Sequence, residues 1–84
     1  MKTNKYLKSA ILEVVENQLD ANDPPETGKT LARLMSEGYS EEEAKNLIGC
    51  VVTSEIFDVM KNQKPFDHAR FVKALNDLPE IPED

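Results

Sequence analysis

Few side chains in this 84-residue sequence are of a type and placement to do chemistry, and the first of them is Glu55. At about 100° per residue, Ala44, Val51, Val52 and Val59 fall within about 60° of Ile48 on one helical face. Glu55 falls inside the same arc, about 20° from its centre. A carboxylate placed there must find a partner, shift its pKa or bend the helix toward water. Gln18 occupies the matching position in the first apolar stripe, between Val14, Val15 and Leu19. The pairing expected is a carboxamide NH₂ donating to the Glu55 carboxylate, acting either as a register-fixing polar pair or as a small polar site.

The remaining reactive residues favour plainer readings. Cys50, the only cysteine, has Ser54 and Glu55 as helical neighbours; neither lowers a thiol pKa, so it is expected to be packing material. A single cysteine also excludes an internal disulfide and a thiolate zinc cluster. His68, the only histidine, lies in the first turn of the fourth helix, without a second ligand at metal spacing. No cofactor and no metal are therefore expected. Gly28-Lys29-Thr30 imitates the end of a phosphate-binding loop, but Asp23 stands where the first glycine is required and a helix, not a strand, precedes it.

Four helices must position these residues. No strand alternation is sustained, and no Asn-Gly or Asp-Gly hairpin signal occurs. The first helix is expected over residues 4–22, with Leu7, Ile11, Val14, Val15 and Leu19 on one face. Asp23 is the expected N-cap of the second, with Pro24 at the first position and Glu26 completing a capping box. That helix carries Leu31, Leu34 and Met35 and ends at Gly38. Ser40 and Glu43 form a second capping box, opening a third helix of some six turns to about residue 63. Asp67 caps the fourth, with Phe66 and Phe71 at hydrophobic-staple spacing and Val72, Leu75 and Leu78 on its apolar face.

The fold expected is all-α: one compact four-helix bundle over residues 1–78, followed by a frayed, acidic tail over 79–84. The third helix is apolar nearly all round. Cys50 and Phe57 lie opposite its main stripe, with Leu47 and Met60 on the flanks. So small a domain cannot wrap such a helix completely, which points to a homodimer through the Cys50–Phe57 face; the alternative is a central helix with ordinary surface apolar residues.

Net charge of −6 and a pI near 4.7 argue against a phosphate-binding surface and an anionic membrane. The helix–Gly–helix around Gly38 fits a DNA-reading helix-turn-helix poorly, because Glu41, Glu42 and Glu43 open the second helix. The same stretch resembles the first loop of ubiquitin-associated domains, although the third helix here runs well past the length of that family's second. Glu13 and Glu16 interrupt the first apolar run, so neither a signal peptide nor a membrane span is expected, and the compartment expected is the cytoplasm.

Three segments together carry a wider resemblance: residues 17–27, the Gly38-Tyr39-Ser40 junction and Glu55-Ile56-Phe57-Asp58. As a set they resemble a group of small, all-helical bacterial proteins classed as a domain of unknown function. That resemblance implies a helical fold and a bacterial, cytoplasmic origin, and no activity. The leading functional expectation is a non-catalytic interaction module that pairs with itself or another protein through Cys50, Phe57 and Met60, or through the Tyr39 corner. The alternative is a small-ligand binder or enzyme built on Glu55 and Gln18, with Tyr39 or His68 nearby.

Overall fold

The computed structural model describes residues 5–81, with side chains from residue 7 onward. Four helices follow one another: α1 (Lys5–Ala21), α2 (Pro25–Ser36), α3 (Glu41–Asn62) and α4 (His68–Asp77). The fold is the expected all-α, four-helix arrangement. Helix α3 is its spine, packing against each of the other three, while α2 also touches α1 and α4. Helices α1 and α4 make no close backbone approach to each other. The gap between them, roofing part of α3, is where the site described below lies.

Local chemistry sets most of the helix ends. Asn22 adopts a left-handed conformation (φ 49°) after α1. Its N–H bonds the Leu19 carbonyl, and the Asp23 N–H bonds that of Gln18. This paired Schellman arrangement satisfies carbonyls that a helix end otherwise leaves open. Helix α2 stops the same way: Gly38 N–H bonds Met35 O and Tyr39 N–H bonds Leu34 O, around a Gly38 φ of 107°. At the start of α3, the Ser40 hydroxyl accepts from Glu43 N–H at 3.0 Å and the Glu43 carboxylate accepts from Ser40 N–H at 2.8 Å. Asp67 caps α4 by accepting from Arg70 N–H, and the Phe66 and Phe71 rings meet with centroids 5.6 Å apart.

The expected start of α2 is corrected. The helix begins at Pro25, its N-cap is Pro24 rather than Asp23, and no side-chain cap is made. A residue before proline is driven out of the helical region, so Pro24, standing before Pro25, is extended (ψ 150°) and cannot be the first helical residue. Glu26 then falls at the second position, where a capping box cannot close.

Val15, Leu34, Ala44, Ile48, Val51, Val52, Phe71, Leu75 and Leu78 form the core. Each large member buried this fully contributes on the order of 1.5–3 kcal/mol relative to exposure. The α2 stripe also differs from expectation, since Met35 is exposed while Thr27 and Thr30 are buried beside Leu34. Arg33 ties α2 to α4 by donating to the Leu75 carbonyl at 3.1 Å. Pro79, Glu80 and Ile81 are exposed, and the last three residues of the expected tail lie outside the described residues.

Candidate functional site

Glu55 is buried, with 6% of its surface exposed. It lines a hollow of about 340 Å³ in the gap between α1 and α4. Val14 and Gln18 form the α1 wall, Val52, Ile56, Val59 and Met60 the α3 floor, and Phe66 and Phe71 the far wall. The lining is almost wholly apolar, with Glu55 the one acid on it. Phe71 is fully buried and Phe66 is half out in solvent, so the aromatic wall runs from the core to the surface.

The structure brings Gln18 and Glu55 to one cavity but does not join them as expected. The Gln18 carboxamide oxygen accepts from the Thr27 hydroxyl at 2.9 Å, across the α1–α2 turn. Glu55 Oε1 is buried and makes no hydrogen bond. The expected carboxamide-to-carboxylate bond is not made: the Thr27 hydroxyl, brought close by the Schellman turn after α1, fixes the orientation of the carboxamide through its oxygen, and the NH₂ makes no bond to Glu55.

The other Glu55 oxygen is served weakly. Arg70 Nε lies 3.9 Å from Oε2, too far for a hydrogen bond, and the guanidinium is committed elsewhere. Arg70 Nη1 donates to Asp58 Oδ2, while Asn62 Nδ2 donates to Asp58 Oδ1 at 2.8 Å. Asp58, one helical turn beyond Glu55, is thus satisfied at both oxygens. The Arg70 pKa is raised chiefly by its hydrogen bond to Asp58, and only to a lesser degree by the charge of Glu55. Two carboxylates share one guanidinium, and the half-buried one, Asp58, holds it.

The remaining candidates divide. Cys50 and Phe57 line a second hollow of about 620 Å³ on the opposite flank of the α1–α3 contact, with Leu7, Ile11, Gly49 and Thr53. Ile11 sits only 3.3 Å from where a Cβ on Gly49 would stand, so the missing side chain lets the helices close at that point. Cys50 is exposed, correcting its reading as packing material. Met60 lines the Glu55 cavity and is 69% exposed at its rim.

Tyr39 lines neither hollow; it is half-buried against the core as the residue after the Gly38 turn. His68 is exposed, with Nε2 4.0 Å from Glu26 Oε1, and it too is absent from the Glu55 cavity. Phe66, Phe71, Asp58 and Arg70 are the residues that sequence reasoning missed. The phenylalanine staple and the Glu55/Asp58 spacing were the available signals.

Among the described residues, no group of three or more His, Cys, Asp or Glu side chains could hold a metal ion. No described helix is long and apolar enough to cross a membrane. Compared with family models, characterised proteins and solved structures, the chain matches none.

Proposed function

We propose that this protein is a non-catalytic interaction module that pairs with a second copy of itself through the outer face of α3, in the bacterial cytoplasm that its family resemblance implies. One observation carries the reading. Of the seven large apolar side chains exposed among the described residues, five (Leu7, Ile56, Phe57, Met60 and Phe66) line contiguous hollows along the C-terminal half of α3. Contiguous exposed apolar surface of this kind favours an interaction site over chance scatter. Phe57 (54% exposed) bridges the Cys50 groove and the Asp58–Arg70 rim, and so stands at the centre of the patch.

Self-pairing is supported by size and by charge. A chain of 84 residues buries a modest core and gains stability by covering an apolar face. The rim carries both signs, Asp58 beside Lys61 and Arg70, so a two-fold related copy meets complementary charge despite the net −6. The test is light scattering coupled to size-exclusion chromatography. A dimer at micromolar concentration that becomes monomeric in Phe57→Glu, with helicity retained, supports the reading. A wild-type chain that stays monomeric at millimolar concentration sinks it.

A further inference from the structure

We propose that the cavity between α1 and α4 binds a small hydrophobic amine as its ammonium ion, with Glu55 as the counter-ion. The argument begins with a charge count. Glu55, Asp58 and Arg70 form a group of two carboxylates and one guanidinium, net −1, in which Asp58 takes the guanidinium. Asp58 is completed by Asn62, whereas Glu55 Oε1 is buried with no hydrogen bond. An unpartnered carboxylate oxygen buried in apolar surroundings asks for a cationic donor.

The walls choose what that donor is attached to. Val14, Val52, Ile56 and Val59 match an alkyl or aryl body, and about 340 Å³ is at the small end of the range for ligand cavities. Phe66 and Phe71 present aromatic surface, which favours an ammonium over an anion or a neutral alcohol. Gln18, whose carboxamide oxygen keeps a lone pair after accepting from Thr27, lines the same cavity as a second acceptor. An ammonium has three donors, and this cavity has acceptors and aromatic rings to meet them. A carboxylate ligand would meet the Glu55 charge, with the Gln18 NH₂ the one donor on the lining to offset it.

The cavity shares Ile56, Met60 and Phe66 with the proposed pairing face, and Phe57 is the residue that separates the two ideas. Phe57 lines the Cys50 groove and the Asp58–Arg70 rim, but not the Glu55 cavity. Amine binding is therefore expected to persist in Phe57→Glu whatever becomes of self-association.

The experiment is an amide-resolved NMR titration of the full chain with hexylamine hydrochloride near neutral pH, against sodium hexanoate and hexanol at the same concentrations. Saturable shifts at Val52, Glu55, Ile56, Val59 and Phe71 with hexylamine alone are expected. Glu55→Gln weakens the amine by about tenfold or more, the worth of a hydrogen bond to a charged group. Arg70→Gln leaves the amine bound at least as tightly, because the guanidinium is held by Asp58 and its 3.9 Å contact with Glu55 carries little. The second variant changes an exposed side chain, so it reads out even where Glu55→Gln folds poorly. The proposal is overturned by hexanoate binding as well as hexylamine, by no saturable response to hexylamine, by shifts confined to the Leu7–Phe57 groove, or by weaker amine binding in Arg70→Gln.

Discussion

The two polar intrusions on the apolar faces of α1 and α3 have met opposite fates. Gln18 and Glu55 line one cavity, Gln18 half-buried and Glu55 buried. Gln18 has a protein partner, the fully buried Thr27 hydroxyl at 2.9 Å, whereas Glu55 has an orphan oxygen and a guanidinium 3.9 Å away that belongs to Asp58. The difference is local against long-range supply. Thr27 reaches Gln18 because one tight turn separates α1 from α2. Arg70 must come across from a different helix, and it stops at the first carboxylate it meets. A satisfied polar group fixes packing, while an unsatisfied one is strain that a ligand, an ion or an ordered water relieves.

The largest effect expected from breaking this contrast is at Thr27. Thr27→Val keeps the shape of a side chain with no exposure and removes the donor to Gln18. We expect a loss of about 1–2 kcal/mol in urea unfolding, the range for a part-buried hydrogen bond removed from one side. No loss would mean that Gln18 turns to water freely, and that the Gln18–Thr27 bond does not hold α1 to α2.

Glu55 is expected to respond with the opposite sign. Glu55→Met keeps the length, fills the same volume and removes the buried charge, while Arg70 keeps Asp58. Stability should rise by about 1 kcal/mol, as when poorly paired buried ionic groups give way to apolar ones. A clear loss instead would show that Glu55 is stabilising as it stands, and the contrast with Gln18 would collapse. Binding of hexylamine should vanish in the same variant, so stability and ligand affinity are expected to move in opposite directions.

Much of the frame was legible because it rests on neighbours in sequence. The Ser40–Glu43 box, the Gly38–Tyr39 turn and the Asp67 cap with its Phe66/Phe71 staple each need only a few residues and the ordinary chemistry of helix ends. Glu55 was legible as the break in its own stripe. What escaped depends on relations that periodicity does not carry. Thr27, Thr30, Leu31 and Leu34 make a helical stripe, yet threonine does not count as apolar until its hydroxyl is known to have a partner. The double proline moved the start of α2 by one residue because each proline constrains the residue before it. Arg70 next to Asp58 follows from how α4 folds back on α3, which no spacing in the chain encodes.

A smaller effect sharpens the claim that Arg70 serves Asp58 rather than Glu55. Arg70→Gln should lower the melting temperature slightly, and the deficit should shrink as salt is added, since the pair with Asp58 is near the surface. In a double-mutant cycle with Glu55→Met the two changes should be nearly additive, because the 3.9 Å contact carries little. Strong coupling between them would return Arg70 to Glu55 and weaken the case for an unmet acid.

Lys45 supplies the baseline for a polar contact outside the core, and the smallest effect. Its ammonium lies 2.6 Å from Glu16 of α1 and 3.2 Å from Glu41 on its own helix. The hydrogen bond to Glu16 is the main reason its pKa is raised above the ordinary lysine value; burial opposes it, and Glu41 adds to it. A raised folded-state pKa means the pair stabilises the fold fully below the unfolded lysine pKa of about 10.4, and that this is lost as pH climbs through the folded value. Wild type and Lys45→Met should therefore differ in melting temperature at neutral pH by the equivalent of less than about 1 kcal/mol, and converge in the alkaline range. A gap that stays constant across that range would show that Lys45 acts by packing its aliphatic stem rather than by charge. In the converging case, a half-exposed pair that water can replace is worth less than the part-buried Gln18–Thr27 bond, and burial rather than charge decides which polar contacts hold α1 in place.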